Sequence, residues 1–172
     1  MTENDKMAYV IDLARKAMDS GELPIAAAVY NGEELISSAY TTERADGIFL
    51  VHAEQKALMD ADMKKLPFDV RFKLELYTNL EPCLMCLGMA MSSFVSKVYY
   101  ALEAPEDGAV DFVRNEYESR KVSGLDAYRF PETNAGLLRE QSIQLFREYV
   151  EQNQVKPEYA GLVAFAKTLA AL

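Results

Sequence analysis

The chain has 172 residues, half of them hydrophobic and 26% charged, with a formal net charge of −9. That is enough chain and enough apolar material for one domain with a buried core. The acid excess removes nucleic acid as a default partner, because gripping a phosphate backbone takes Lys and Arg, and no apolar run approaches the ~20 residues of a membrane span.

The N-terminus, MTENDKMAYV, is acidic and polar and does not read as a secretory signal. Two cysteines make no disulfide scaffold, so the expected location is the cytoplasm. Over residues 5–20, Met7, Val10, Ile11, Ala14 and Met18 recur at helical spacing up to Gly21. PIAAAVY (24–30) and ELISSAY (34–40) flank Asn31-Gly32, a hairpin signal. After the polar loop TTERADG comes IFLVHAEQKALMDADMKK, helical in its second half. KLELYT (73–78) alternates as a strand does, 83–93 reads as a compact helix, and VSKVYYAL (95–102) as another strand. Helices between strands imply crossovers and a mixed sheet covered on both faces.

Residues 103–126 are acidic and turn-rich, with no element assigned. DAYRF (126–130) reads as a short strand stopped by Pro131. LLREQSIQLFREYVEQ (137–152) predicts an amphipathic helix with Leu138, Ile143, Leu145, Phe146 and Tyr149 on one side. Pro157 opens a last helix carrying Leu162, Val163, Ala166 and Leu169. No repeat or linker divides the chain, so 1–172 is expected to be one domain, with 153–172 a C-terminal helical extension.

Both cysteines lie in one stretch, TNLEPCLMCLGMAM (78–91). Cys83 and Cys86 suit a disulfide, a redox couple or two ligands of a metal. The sole histidine, His52, stands in HAE at the apparent start of a helix. Three N/S ligands satisfy zinc while leaving the fourth tetrahedral position for a water; a structural site would normally be closed by a fourth Cys or His. Glu54, two residues after His52, is placed to move that water's proton without being a ligand. A lone CxxC is commonly a redox pair and a lone His commonly a core or surface residue. The coincidence of HAE and PCxxC, each opening a helix, favours the hydrolytic metal site over both.

HAE followed by EPCxxC resembles the zinc-dependent deaminases of the cytidine deaminase-like superfamily, whose H-x-E…P-C-x-x-C signature it carries. ELPIAAAVY and LELYTNLEPCLMCLGMAMSSFVSKVYYAL extend the likeness over residues 5–105. It is closest to the branch holding tRNA adenosine deaminases and bacterial guanine deaminases. The resemblance implies an α/β fold, a three-layer α/β/α sandwich around a five-stranded mixed sheet, commonly dimeric. It implies one zinc per chain on His52, Cys83 and Cys86, with Glu54 as proton shuttle and the Ala53 backbone helping to hold a ring. The implied reaction is hydrolysis of an exocyclic amine, with ammonia leaving.

Departures bear on substrate. Thr41 stands where the branch usually has a base-binding Asn, IFLV (48–51) replaces a polar DPTA lead-in, and Leu84 replaces proline. Asp111, in the long acidic region 106–135, is a candidate for reading a ring N–H. The acidic stretch from Glu103 to Glu118 would repel phosphate if it bordered the pocket.

Three functions compete: a deaminase of a small nucleobase, nucleoside or related amino-heterocycle; a tRNA adenosine deaminase forming inosine at the wobble position; and a non-catalytic zinc protein. Glu54 speaks against the third. The acidic balance and Thr41 favour the small substrate over tRNA. A homodimer is expected, with the Gly88, Met89 and Met91 face of the zinc helix as the candidate contact.

Overall fold

The computed structural model describes residues 1–120 and 128–172. In chain order it holds α1 (Glu3–Asp19), β1 (Ala26–Asn31), β2 (Glu34–Tyr40), α2 (Glu43–Asp46), α3 (Ala53–Met63), α4 (Phe68–Arg71), β3 (Leu74–Leu80) and α5 (Leu84–Ser92). Then follow β4 (Lys97–Leu102), α6 (Val110–Arg120), β5 (Glu132–Ala135), α7 (Arg139–Asn153) and α8 (Ala160–Ala170), the last entered through a 3₁₀ turn at Pro157–Tyr159.

The strands run in the order β2-β1-β3-β4-β5. β1 is antiparallel to β2 and β3, and β4 is parallel to β3 and β5, which gives the expected five-stranded mixed sheet. β1 is buried on both faces, so its residues read as a continuous apolar run with small side chains rather than an alternation. Ala26, Ala28 and Tyr30 pack with α1 (Met7, Val10, Ala14), α7 (Ile143, Phe146, Tyr149) and α8 (Val163, Ala166, Leu169). Ala27 and Val29 pack on the other face with Ala57 and Leu58 of α3 and Ala90 of α5. Helices on both faces make the three layers.

Local chemistry sets the ends of the elements. Thr2 and Asp5 form a capping box at the start of α1, each side chain taking the other's backbone N–H, at 3.1 and 2.7 Å. Asn31 proves to be the last residue of β1, paired with Glu34, so the hairpin turns on Gly32 and Glu33. Gly32 sits at φ 59°, a backbone position that favours glycine. Asn79 ties three elements together: it accepts from the Ala26 N–H at 2.8 Å and donates to the Pro24 carbonyl and the Ser142 hydroxyl. Ser142 of α7 returns its own hydroxyl to the Asn79 carbonyl at 2.7 Å.

Two expectations change. The region assigned no element contains α6, whose Val110 and neighbouring Ala109 pack on Leu87 and Met91 of α5. The strand expected at 126–130 falls partly outside the described residues; 128–130 are not strand, and β5 instead follows Pro131, with Glu132 beside Lys97 in parallel register. In addition, Met91 is buried against α6, so it fills the interior of the chain and is not available as a subunit contact.

Candidate active site

The site lies where β3 and the β2–α3 connection end. His52 is the N-cap residue of α3 and Cys83 the N-cap residue of α5, both in extended backbone; Cys86 is buried in the first turn of α5. Two helix N-termini therefore converge on one place, and their partial positive charge favours thiolate and any developing anion.

His52 Nδ1 lies 3.6 Å from both Cys83 Sγ and Cys86 Sγ, and the three donor atoms are all within 4.8 Å of one another. A tetrahedral zinc, with Zn–S near 2.3 Å and Zn–N near 2.0–2.1 Å, separates S from N by about 3.5–3.6 Å. The donor set fits that ion in both chemistry and spacing. The ring's other nitrogen, Nε2, is 3.1 Å from Glu43 Oε1. A carboxylate there fixes the ring orientation and the tautomer that presents Nδ1 to the thiols.

Electrostatics follows from this crowding. Hydrogen bonds from Cys86 and His52 push Cys83 down to about 4. The hydrogen bond to Cys83 pushes His52 up to about 9. Cys86 is raised, by its hydrogen bond to Cys83 and by burial. Glu54 is buried beside them, accepts the Thr78 hydroxyl at 3.1 Å, and is raised by burial.

A cavity of about 610 Å³ opens on these residues. His52, Ala53, Glu54, Cys83 and Thr41 line it, so the sequence brought five of its candidates to one place. Thr41 is buried and donates its hydroxyl to the Val51 carbonyl at 3.2 Å, which leaves only its lone pairs for a ligand. Of the IFLV lead-in, Phe49 lines the cavity while Ile48 and Leu50 are exposed elsewhere. Asp111 is the exception. Its side chain is 85% exposed, pairs with Arg114 at 2.6 Å one turn along α6, and does not line the cavity. Helix α6 turns it to solvent, and the acids that do reach the cavity from this region are Glu106 and Asp107.

Those two are positioned by Glu81, the acid of the EPC motif. Its carboxylate accepts the Ala104 N–H at 3.1 Å and the Val110 N–H at 3.0 Å, drawing in the ends of the 104–110 loop. Gly108 lies inside this clasp, paired with Cys83, where a Cβ would overlap the Glu81 carboxylate and the Ala104 carbonyl. Glu81 was visible in the motif, although its role was not. Glu43 carries no sequence signal, and neither do Glu158, Leu162 and Phe165 of the C-terminal segment, which also line the cavity.

Residues 1–102 match the cytidine and deoxycytidylate deaminase zinc-binding region. The chain is 31% identical over 136 residues to a tRNA-specific adenosine deaminase of Bacillus subtilis, covering 73% of this chain and 82% of that one. It is 33% identical over 105 residues to a tRNA(Ile)-lysidine synthase of Deinococcus radiodurans, covering 60% of this chain but only 18% of that protein's length. Among solved structures, a guanine deaminase from Nitrosomonas europaea superposes with a TM-score of 0.67 at 27% identity, covering 86% of this chain and 84% of that one.

Proposed function

The chain belongs to the cytidine and deoxycytidylate deaminase zinc-binding family, and from that premise we propose that it removes an exocyclic amino group from a small nucleobase, nucleoside or related amino-heterocycle by hydrolysis. The observation that carries this reading is the His52, Cys83 and Cys86 donor set with buried Glu54 beside it at one cavity. Zinc, when bound by those three side chains, supplies Lewis acidity and makes water acidic near neutral pH.

The chain's own residues do the rest. Glu54 takes a proton from the attacking water and returns it to the departing amine, so that amine and water become carbonyl and ammonia. Burial supports this role by raising its proton affinity toward the working range, and the Thr78 hydroxyl fixes which oxygen faces the reactants. The Ala53 N–H stands in the first turn of α3, where helix geometry gives an N–H no intrahelical acceptor, so it can donate to a ring substituent. Glu43 orients His52 through Nε2. Thr41, able only to accept, suits a substrate edge that donates.

The second reading is deamination of adenosine in a tRNA anticodon loop, favoured by the likeness to the Bacillus subtilis protein. The net charge of −9 argues against it, since an RNA loop must be held through its phosphates. Ammonia release from amino-purines, amino-pyrimidines and their nucleosides, measured beside inosine formation in tRNA with a wobble adenosine, decides between them. Inosine in the tRNA with no ammonia from any small substrate would reverse the order.

Two further properties complete the proposal. The protein works in the cytoplasm, where reducing conditions keep Cys83 and Cys86 as the free thiols that metal binding requires. It acts as a homodimer, with the open side of α5 around Leu84 and Gly88 as the contact: Leu84 is exposed and a Cβ on Gly88 would meet nothing within 4 Å. Sedimentation as a 19.3 kDa species at micromolar concentration would remove the dimer.

A further inference from the structure

Helix α8 is apolar on two sides, and only one of them is needed by the core. Val163, Ala166 and Leu169 are buried in the core cluster, where the helix packs mainly on α7. Leu162 and Phe165 on the adjoining side, with Glu158 of the 3₁₀ turn that leads into the helix, line the cavity that holds His52, Glu54 and Cys83. The segment is anchored at both ends. Tyr159 is buried, meets the Tyr149 ring edge-on and carries the Arg44 guanidinium 4.7 Å from its ring centre; Arg147 donates to the Ala170 carbonyl at 3.0 Å. The C-terminal extension is therefore a fixed wall of the cavity.

The charge of that cavity is one-sided. Among the described residues, six carboxylates and one histidine line it and no Lys or Arg does. Three of them are committed: Glu43 to His52, Glu54 to Thr78, and Glu81 to backbone N–H groups. Glu106, Asp107 and Glu158 are exposed, and none forms an ion pair with a described Lys or Arg. The cations on the Tyr159 ring, Arg44 and Lys156, do not line the cavity. A cleft whose charged groups are mostly of one sign, beside apolar walls such as Leu162 and Phe165, focuses its field and filters what enters.

We propose that the C-terminal helix is the specificity wall of this site and that Glu158, together with Glu106 and Asp107, makes its entrance anion-rejecting. The substrate is then an unphosphorylated, neutral or cationic amino-heterocycle, and nucleoside 5′-monophosphates are turned away. The substrate part of this statement rests on the deaminase reading; the charge of the entrance does not.

The test has two arms. Purified zinc-loaded protein carrying Leu162→Cys is alkylated with neutral iodoacetamide and with anionic iodoacetate, and the rate ratio at position 162, which lines the cavity without being a metal ligand, is compared with that of free cysteine. The ratio should exceed the free-cysteine ratio by about tenfold, and adding Glu158→Lys should bring it most of the way back. A ratio equal to that of free cysteine, or one unchanged by Glu158→Lys, overturns the proposal. In the second arm, kcat/KM is measured for adenosine, guanosine and cytidine and for their 5′-monophosphates. Glu158→Lys should narrow the preference for the unphosphorylated member of the reacting pair about tenfold, mainly through KM of the monophosphate. A preference unmoved by Glu158→Lys counts against the proposal while leaving deamination intact. Ammonia from no compound in either set, with the alkylation ratio as expected, removes the deaminase reading and keeps the acidic entrance.

Discussion

The Glu43 carboxylate and the His52 ring meet at 3.1 Å through Nε2, while Nδ1 of the same ring faces both thiols at 3.6 Å. The short helix α2 presents Glu43, and α2 is itself pinned from below: the buried Glu22 carboxylate accepts the Arg44 and Ala45 N–H groups at 3.0 and 2.7 Å. The ring is thus held by a carboxylate that is held by another.

Removing the first carboxylate should therefore loosen the metal. Glu43→Ala is expected to weaken zinc binding about 10–100-fold, the usual cost of losing the outer partner of a ligating histidine. Competition with a chromophoric chelator measures it. Glu43→Gln, which can still accept from Nε2–H, should recover much of the loss. Equal affinity in Glu43→Ala and wild type would show that the contact does not orient the ring.

The donor set sets the stoichiometry. About one zinc per chain is expected by metal analysis, because among the described residues only His52, Cys83 and Cys86 form a cluster of His and Cys donors. Cys86→Ala should lose the metal and the activity together. Two zinc ions per chain, or full activity in that variant, would contradict the assignment.

Glu54→Gln separates chemistry from binding. The amide keeps the shape and can still accept from Thr78, but cannot carry the proton. Turnover is expected to fall about 10²–10⁴-fold, while zinc content stays at the wild-type level. Single-substrate kinetics with parallel metal analysis reads both, and wild-type turnover would assign the proton to another group.

What the sequence could show depended on the reach of each signal. His52, Glu54, Cys83 and Cys86 were legible because two short motifs carry them at the starts of two helices. The sheet was legible because β1 and β4 are nearly continuous apolar runs and β3 begins with a strand-like alternation. Helix α6 was missed although Val110, Val113 and Tyr117 recur at i, i+3 and i+7, since its burying face is narrow and the rest is charged. Asp111 lies in the same acidic region as Glu106 and Asp107, but its place on α6 turns it to solvent while they line the cavity. Glu43 and Glu158 reach the site only through tertiary packing, which no local pattern encodes.

The Asn79 knot should be costly to cut. Asn79→Ala leaves the Ala26 N–H and the Pro24 carbonyl buried without this partner and takes one bond from Ser142. Each buried polar group so orphaned costs about 1–3 kcal/mol, so a loss of about 3 kcal/mol or more is expected in urea unfolding. A loss under ~0.5 kcal/mol would mean that water replaces the side chain.

Gly108 joins the motif to the loop whose Glu106 and Asp107 line the cavity, and Gly108→Ala tests that connection. The added methyl would overlap the Glu81 carboxylate and the Ala104 carbonyl, so the clasp must open by moving Glu81 or the loop. Overpacking of this kind costs about 1–3 kcal/mol. The Ala104 and Val110 N–H groups would lose their acceptor, and Glu106 and Asp107 would shift from the positions those bonds define. His52 and Cys86 lie outside the clasp, so the variant should bind zinc while its KM for the reacting small substrate rises several-fold. Denaturant unfolding, metal analysis and kinetics on one preparation distinguish the outcomes. Full zinc with a raised KM supports the loop as a substrate-facing element. Lost zinc would show instead that the Cys83–Gly108 pairing holds the thiolate in place, and an unchanged KM would detach Glu106 and Asp107 from substrate recognition.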